Sequence, residues 1–266
     1  MSSGRTDDLK IQNPYYRRSK YQIGPTIQLI NEFSKASGLH LNIGKCEILS
    51  LFDTDDEYIC NIPLKKSVKY LGIDVTKDML TRQQLNFPPR LKKTKTIMNM
   101  WLQRDLSIFG RILLTKAEGI SRLVYPALSL YVQDSTSKEI NNILSNFAWK
   151  NRHHYLKKDI LSGPRNEGGF DLLNFFDLNN TFKIKWIKEC LRASDSIWYF
   201  IPNNIFKQLG GLHFLLTCNY KTTKLPIKLS KCIQQALLAW KLCYTHNFPP
   251  HKTIIWNNVN ITVGKK

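Results

Sequence analysis

Residues 33–47 read Phe33-Ser34-Lys35-Ala36-Ser37-Gly38-Leu39-His40-Leu41-Asn42-Ile43-Gly44-Lys45-Cys46-Glu47. Upstream, Ile23, Ile27, Ile30 and Phe33 recur every three or four residues, the spacing of one face of an amphipathic helix. Pro25 suits the opening of that helix, and Gly38 suits its end as a left-handed cap. Downstream, Leu39–Ile43 and Glu47–Phe52 read as two short strands around the turn Gly44-Lys45. Asp53, Asp55, Asp56 and Glu57 follow as a solvated acidic loop, and Val68–Val75 alternates as a further strand. The chain thus passes from helix to strand at a glycine, and its first third is mixed.

From Pro88 onward the pattern is helical. A helix over about Arg90–Arg104 sets Leu91, Ile97, Met98, Trp101 and Leu102 on one side, with Arg90, Lys92, Lys93 and Lys95 crowding its first turns. Cations oppose the positive end of the helix dipole, so helix stability does not ask for them there. A second helix, about Ser107–Tyr131, carries a stripe of Phe109, Leu113, Ala117, Ile120, Val124 and Ala127, with a kink expected at Pro126. A third starts at a capping box, Thr136 and Glu139, and continues through Ile140, Ile143, Leu144 and Phe147. Gly163-Pro164 and Gly168-Gly169 mark a loop and boundary. Beyond them, helices are expected over about 178–191 and 229–244. Residues 1–19 lack an apolar period and read as an unstructured lead-in.

The 266 residues carry 39 Lys and Arg against 20 Asp and Glu, a net charge of +19. That charge is not spread evenly: residues 1–60 sum to −1, residues 61–150 to +9, and residues 151–266 to +11. Two hundred consecutive residues of one sign attract polyanions, and nucleic acid is the expected partner. The 42% hydrophobic share excludes a disordered chain. No run approaches the roughly 18 apolar residues of a membrane span. The polar N-terminus, with Arg5, Asp7 and Asp8, is no secretory signal, and six irregularly spaced cysteines read as free thiols. These features fit an intracellular chain, neither secreted nor membrane-bound.

Four blocks in order carry a resemblance. They are the 33–47 stretch; Val68-Lys69-Tyr70-Leu71-Gly72-Ile73; Leu106-Ser107-Ile108-Phe109-Gly110-Arg111-Ile112; and Glu167-Gly168-Gly169-Phe170 leading to Asn174-Phe175. Together they closely resemble the reverse transcriptases of LINE-type (non-LTR) retrotransposons, over the stretch from about Lys20 to the end. The resemblance implies an α+β, predominantly α fold. Residues 1–19 would be lead-in and 20–80 the last part of the palm, with short antiparallel strands. Residues 81–150 would form a three-helix thumb bundle, and 151–266 a post-thumb helical region.

It also implies roles. Gly38, Asn42 and Lys45 match the block after the catalytic hairpin, where the lysine lies near the departing pyrophosphate. Lys69, Tyr70, Leu71 and Gly72 match the primer grip, a hairpin whose backbone presses on the primer. Arg90, Lys92, Lys93, Lys95 and Arg104 would face phosphates from the thumb; Arg111 reads equally as a phosphate contact or an internal ion pair. The complete family enzyme polymerises DNA with Mg2+ held by three carboxylates. This sequence does not present them: Thr6-Asp7-Asp8 and Thr54-Asp55-Asp56 lack the flanking apolar strands of a metal-holding turn. The chain is therefore expected to hold no metal or other cofactor and no small-molecule ligand. It would bind RNA or an RNA/DNA duplex through phosphate contacts without extending it. Two other readings stay open, a helical protein-interaction module and the non-functional product of a decayed element.

Two residue classes invite other chemistry. Of six tryptophans, Trp101, Trp186 and Trp240 fall on apolar stripes and are expected in the core, whereas Trp149, Trp198 and Trp256 could stack on bases. Cys232, Cys243, His246 and His251 are the one candidate zinc cluster. The two cysteines stand eleven residues apart on one helix, roughly 16 Å along the axis. That is too far for one tetrahedral ion, so the core reading is preferred.

Overall fold

Why a glycine should divide helix from sheet is plain in the computed structural model, which describes residues 14–52, 54, 56–192, 196–217 and 225–244. Helix α1 spans Pro14–Ser37. It begins eleven residues before Pro25, within the expected lead-in, and opens on a proline, whose fixed φ suits a first helical position. It continues through Pro25, and the Thr26 hydroxyl donates to the Gln22 carbonyl at 2.7 Å. Gly38 ends it at φ +70°, its N–H reaching the Ser34 carbonyl at 2.9 Å, the expected left-handed cap.

The described chain is α+β and mostly helical, and it divides into two compact units, up to Asn86 and from Phe87 onward. In the first, α1 is followed by a single turn at Ile43–Lys45 and strands β1 (Ile48–Leu49), β2 (Tyr58–Ile59), β3 (Ile62–Lys65), β4 (Ser67–Tyr70) and β5 (Ile73–Thr76). Leu39–Ile43 is not a strand; the chain there wraps into the turn, with Lys45 N–H on the Asn42 carbonyl at 3.0 Å. Two ladders are antiparallel, β2 with β3 and β4 with β5, while β1 runs parallel to β3. Val68–Val75 is not one strand but a hairpin. Tyr70 pairs with Ile73, and the two-residue loop Leu71-Gly72 has φ +47° and +79°. That loop needs left-handed backbone at both positions, which glycine supplies freely and leucine only under constraint.

Helix α2 (Met79–Asn86) closes this unit. Asp78 caps it, accepting from Thr81 N–H at 2.6 Å, and that bond holds the Asp78 carboxyl below the ordinary carboxylate range. The fully buried Asn86 behaves as an extra strand partner: its Oδ1 accepts from Asp74 N–H at 3.0 Å and its Nδ2 donates to the Asp74 carbonyl at 2.8 Å.

The second unit runs α3 (Pro88–Leu102), α4 (Ile108–Leu114), α5 (Ser121–Ser129), α6 (Asp134–Ala148), α7 (Lys158–Ser162), α8 (Phe175–Arg192), α9 (Phe200–Lys207), α10 (Leu212–Thr217) and α11 (Lys231–Tyr244). A wider π-type segment, Thr115–Ile120, joins α4 to α5. That segment corrects the expected stripe. Ile112, Thr115, Gly119, Ile120, Leu123 and Ala127 are buried, whereas Phe109, Leu113 and Ala117 are exposed. A π turn takes more residues than an α turn, so a fixed 3.6-residue period loses phase across it. Gly119 then meets α3 and α6 closely: a Cβ there would stand 2.9 Å from Leu144 Cδ2 and 3.1 Å from Met98 Cε.

The capping box at Thr136 is also corrected. Helix α6 begins at Asp134, so Thr136 lies inside its first turn, and Glu139 pairs across to Lys95 at 2.9 Å. Ile140, Leu144 and Phe147 are buried as expected. A second apolar cluster joins α8 to α11, with Ile187, Cys190, Phe206, Leu215 and Leu237 at its centre and Trp186 and Trp240 packed against it. Burial there pushes the Cys190 thiol up to about 11.

Between α7 and α8 the chain folds back on itself. Gly169 N–H reaches the Pro164 carbonyl at 2.9 Å, and Asp171 N–H reaches the Gly163 carbonyl at 3.0 Å. A Cβ on Gly169 would sit 2.0 Å from the Gly163 carbonyl oxygen, so only glycine fits this neck.

Two outcomes follow. Gly169→Ala must force the neck open, and urea unfolding is expected to show a loss of about 3 kcal/mol or more. Cys190 keeps its proton longer in the folded chain than in the unfolded one. Its contribution is therefore complete below pH 9 and is lost as the pH rises through 11, on the order of 2 kcal/mol. Melting curves of Cys190→Ala should show a correspondingly flatter fall over that window.

Candidate nucleic-acid interface

The basic residues expected to meet phosphate divide by burial. On α3, Leu91, Thr94 and Met98 face inward, while Lys92, Lys93, Lys95, Thr96, Asn99 and Met100 are exposed. Lys92 and Lys93 have no carboxylate partner among the described residues, and α3 itself contains no acidic residue. Lys95 is partly committed to Glu139, Arg90 is half-buried with interactions of its own, and Arg104 is exposed just beyond the helix. From Lys92 to Leu102 the exposed side runs about 15 Å at the helical rise. It is a polar, cationic strip without an exposed aromatic ring.

Arg111 is not on that strip. Only 9% of it is exposed; its Nε donates to the Ala148 carbonyl at 2.7 Å, and its Nη1 donates to the Leu106 carbonyl. Burial pulls its pKa below the usual guanidinium value. Ala148 is the last residue of α6, and its carbonyl is one that a helix end leaves without an internal partner. A cation there also meets the negative end of the dipole. Its hydrogen bonds go to backbone carbonyls, and Asp105 acts on it only as a nearby charge. Asp105, just before this helix, pairs instead with Lys150 at 2.9 Å, and that lysine's hydrogen bond holds its carboxyl below the ordinary range.

The two sequence blocks of this unit meet. Phe109 of the 106–112 block and Phe170 of the 167–175 block stack with centroids 5.3 Å apart, and the Arg165 guanidinium lies 5.5 Å from the Phe109 ring centre. Arg165 also pairs with Asp171 at 3.0 Å. Asn174 and Asn141 join side chain to side chain at 2.8 Å, and Asn141 Oδ1 accepts from Phe175 N–H at 2.7 Å, fixing the start of α8 to α6. Asn141 sits mid-helix in an apolar period, and nothing in the sequence marks it.

In the first unit, Lys69, Tyr70, Leu71 and Gly72 form the tip of the β4–β5 hairpin, with Tyr70 and Leu71 about two-thirds exposed. Gly38 caps α1, and Asn42 and Lys45 are exposed on the turn that follows. No group of three His, Cys, Asp or Glu side chains among the described residues could hold a metal ion. Thr6-Asp7-Asp8, Asp55, His246, His251 and Trp256 lie outside the described residues. Of the candidate zinc thiols that are described, Cys232 lies half-buried 3.8 Å from Lys183 Nζ, and Cys243 is exposed. No helix among the described residues is long and apolar enough to cross a membrane.

Comparison with known proteins adds little to this geometry. No family model matches the chain. A protein of Arabidopsis thaliana, provisionally named a ribonuclease H protein, is 25% identical over 115 residues. The match takes in 41% of this chain and 18% of that protein, so the chain spans less than a fifth of the relative's length.

Removing the buried guanidinium separates its two possible roles. Arg111→Ala strands the Ala148 and Leu106 carbonyls and is expected to cost about 2–4 kcal/mol in urea unfolding. Well below its new midpoint, affinity for nucleic acid should be unchanged.

Proposed function

We propose that this chain is the palm-end, thumb and post-thumb part of a LINE-type reverse transcriptase, and that by itself it binds nucleic acid without polymerising it. The observation that carries the binding half is the exposed strip of α3, where Lys92 and Lys93 have no carboxylate partner among the described residues and Leu91, Thr94 and Met98 pack inward on the other side. Net charge of one sign over residues 61–266 reinforces it. Because the charge on the strip is carried by ammonium groups, its contacts are chiefly to phosphate and carry little sequence preference. A helical duplex or structured RNA offers such phosphates at regular spacing. The relative's ribonuclease name is in keeping with an RNA ligand.

The family part of the proposal rests on the four motif blocks and on their structural use. The tyrosine–leucine–glycine block is a protruding hairpin tip, and the later two blocks dock ring on ring. The proposal of inactivity rests on chemistry: two-metal phosphoryl transfer asks for carboxylates on a strand–turn–strand, which this sequence does not offer.

A second reading has an observation of its own. A groove of about 440 Å³ on the second unit sets Tyr131, Phe176, Leu238 and Leu242 among polar and charged side chains such as Asp134 and Lys231, a mixed lining that could seat a protein segment, as a helical interaction module would. Charge reversal distinguishes the two. Lys92→Glu with Lys93→Glu is expected to weaken duplex binding at least tenfold and to flatten the plot of log affinity against log salt by about 2. Unchanged affinity would instead favour the interaction module. Incorporation of even one deoxynucleotide onto primed RNA with Mg2+ would overturn the inactivity.

A further inference from the structure

Residues 149–158, Trp149-Lys150-Asn151-Arg152-His153-His154-Tyr155-Leu156-Lys157-Lys158, belong to none of the motif blocks. They run from the end of α6 into the first residue of α7 and hold four Lys or Arg and no carboxylate. The loop leaves α6 in an unusual way. Lys150 and Asn151 take φ +53° and +56°, left-handed values at two consecutive residues that are not glycine. Asparagine tolerates this and lysine does so only when held. Here it is held: Lys150 N–H bonds the Phe147 carbonyl at 3.1 Å, Asn151 N–H the Asn146 carbonyl at 2.8 Å, and Arg152 N–H the Trp149 carbonyl at 3.0 Å. The Lys150 ammonium is tied to Asp105 as well.

That turn sets out a layered group of rings. Trp149, half-buried and with its indole nitrogen buried, stacks against His154 at 6.2 Å and receives Tyr155 edge-on at 5.6 Å. His154 Nε2 lies 3.2 Å from Asn146 Oδ1, which steadies it from the α6 side. Tyr155 is 80% exposed, so most of its ring surface is open to solvent. Around it, Arg152 and Lys157 are exposed cations without a carboxylate partner among the described residues. Lys158 is bonded only to the neutral Asn142 amide, so its charge is not cancelled.

We infer that this loop is a binding site for single-stranded nucleic acid, with Tyr155 as the surface on which a base stacks and Arg152 and Lys157 as its phosphate partners. Exposed rings beside uncompensated cations fit a strand whose bases are unpaired, because every base then has a free face. A duplex hides those faces and would leave the Tyr155 ring in water. A groove of about 200 Å³ between α3 and α6 reaches the loop at Asn151 and adds the Asn99 and Asn146 carboxamides, groups suited to base edges. Tyr155, Arg152 and Lys157 lie off the α3 strip, which the groove touches at Lys95 and Asn99, and the test does not depend on the family reading.

Fluorescence anisotropy of the full chain with a short labelled oligo(U), and with a blunt RNA duplex of the same length, tests it. Tyr155→Ala is expected to weaken oligo(U) binding about tenfold, while Tyr155→Phe, which keeps the ring, stays within about twofold. Duplex affinity should be the same for all three proteins. Arg152→Ala with Lys157→Ala should flatten the salt dependence of oligo(U) binding by about 1.4. An unchanged melting temperature confirms that the exposed substitutions leave the fold intact. Oligo(U) affinity unmoved by Tyr155→Ala would overturn the inference, as would an equal loss in the Phe variant or an equal loss on the duplex. Failure of the duplex to bind at all would strike the α3 proposal and leave the oligo(U) result standing.

Discussion

The buried Arg111 guanidinium is the contact on which the arrangement of the second unit turns. It holds the Leu106 carbonyl, just before α4, and the Ala148 carbonyl, at the end of α6. The carbonyl of Ala148, thirty-seven residues along the chain from Arg111, and that of Leu106 are thereby fixed to one rigid, planar group. Once they are fixed, Asp105 can reach Lys150, and Phe109 stands where Phe170 can stack on it. The desolvation that burial imposes on this cation is offset by carbonyl dipoles, one of them at a helix C-terminus where positive charge is favoured.

The same device recurs. Lys183, 2% exposed, donates to the Ala127 and Leu130 carbonyls at 2.8 and 2.6 Å, and burial lowers its pKa. Gln235 brackets Val132, donating to its carbonyl at 2.8 Å and accepting from its N–H at 3.3 Å. Asn86 does so for Asp74 in the first unit. Long polar side chains thus close the ends of elements that no backbone partner reaches. For a chain of net charge +19 this matters, because formal charge overstates what a polyanion can meet. Arg111 and Lys183 face inward, Lys95, Lys150 and Arg165 are spent on carboxylates, and Lys92, Lys93, Arg152 and Lys157 are left facing water.

Much of this was legible in the residues, for reasons that can be named. Gly38 ends α1 because, lacking a Cβ, it takes the positive φ of a helix cap without strain, and Leu91, Met98, Ile140 and Leu144 are buried because α3 and α6 keep a regular period. The mostly helical α+β fold follows from such local signals. Failures came where local pattern and three-dimensional context diverge. The stripe from Phe109 to Ala117 lost phase because a π segment shifts the helix face, and Thr136 sits inside α6 because the helix starts two residues earlier, at Asp134, leaving Glu139 to pair with Lys95. Tyr70-Leu71-Gly72 reads as strand by composition, and only the register of β4 on β5 shows it to be a turn. Arg111 could not be assigned from its type, since one of its two partner carbonyls, that of Ala148, is remote in sequence.

Of the two cationic surfaces on the second unit only the 149–158 loop carries exposed rings, and that difference is itself an argument about ligands. The α3 strip offers ammonium groups over helix backbone, which a phosphate ladder satisfies through point contacts and counterion release. The 149–158 loop offers rings braced by Trp149, which need a flat apolar face to cover them. One type of nucleic acid does not serve both equally, because base pairing removes the faces that the loop would use while regularising the phosphates that the strip would use. A ligand with a paired segment running into an unpaired one satisfies both, and the α3–α6 groove, lined by Lys95, Asn99, Asn146 and Asn151, borders each surface.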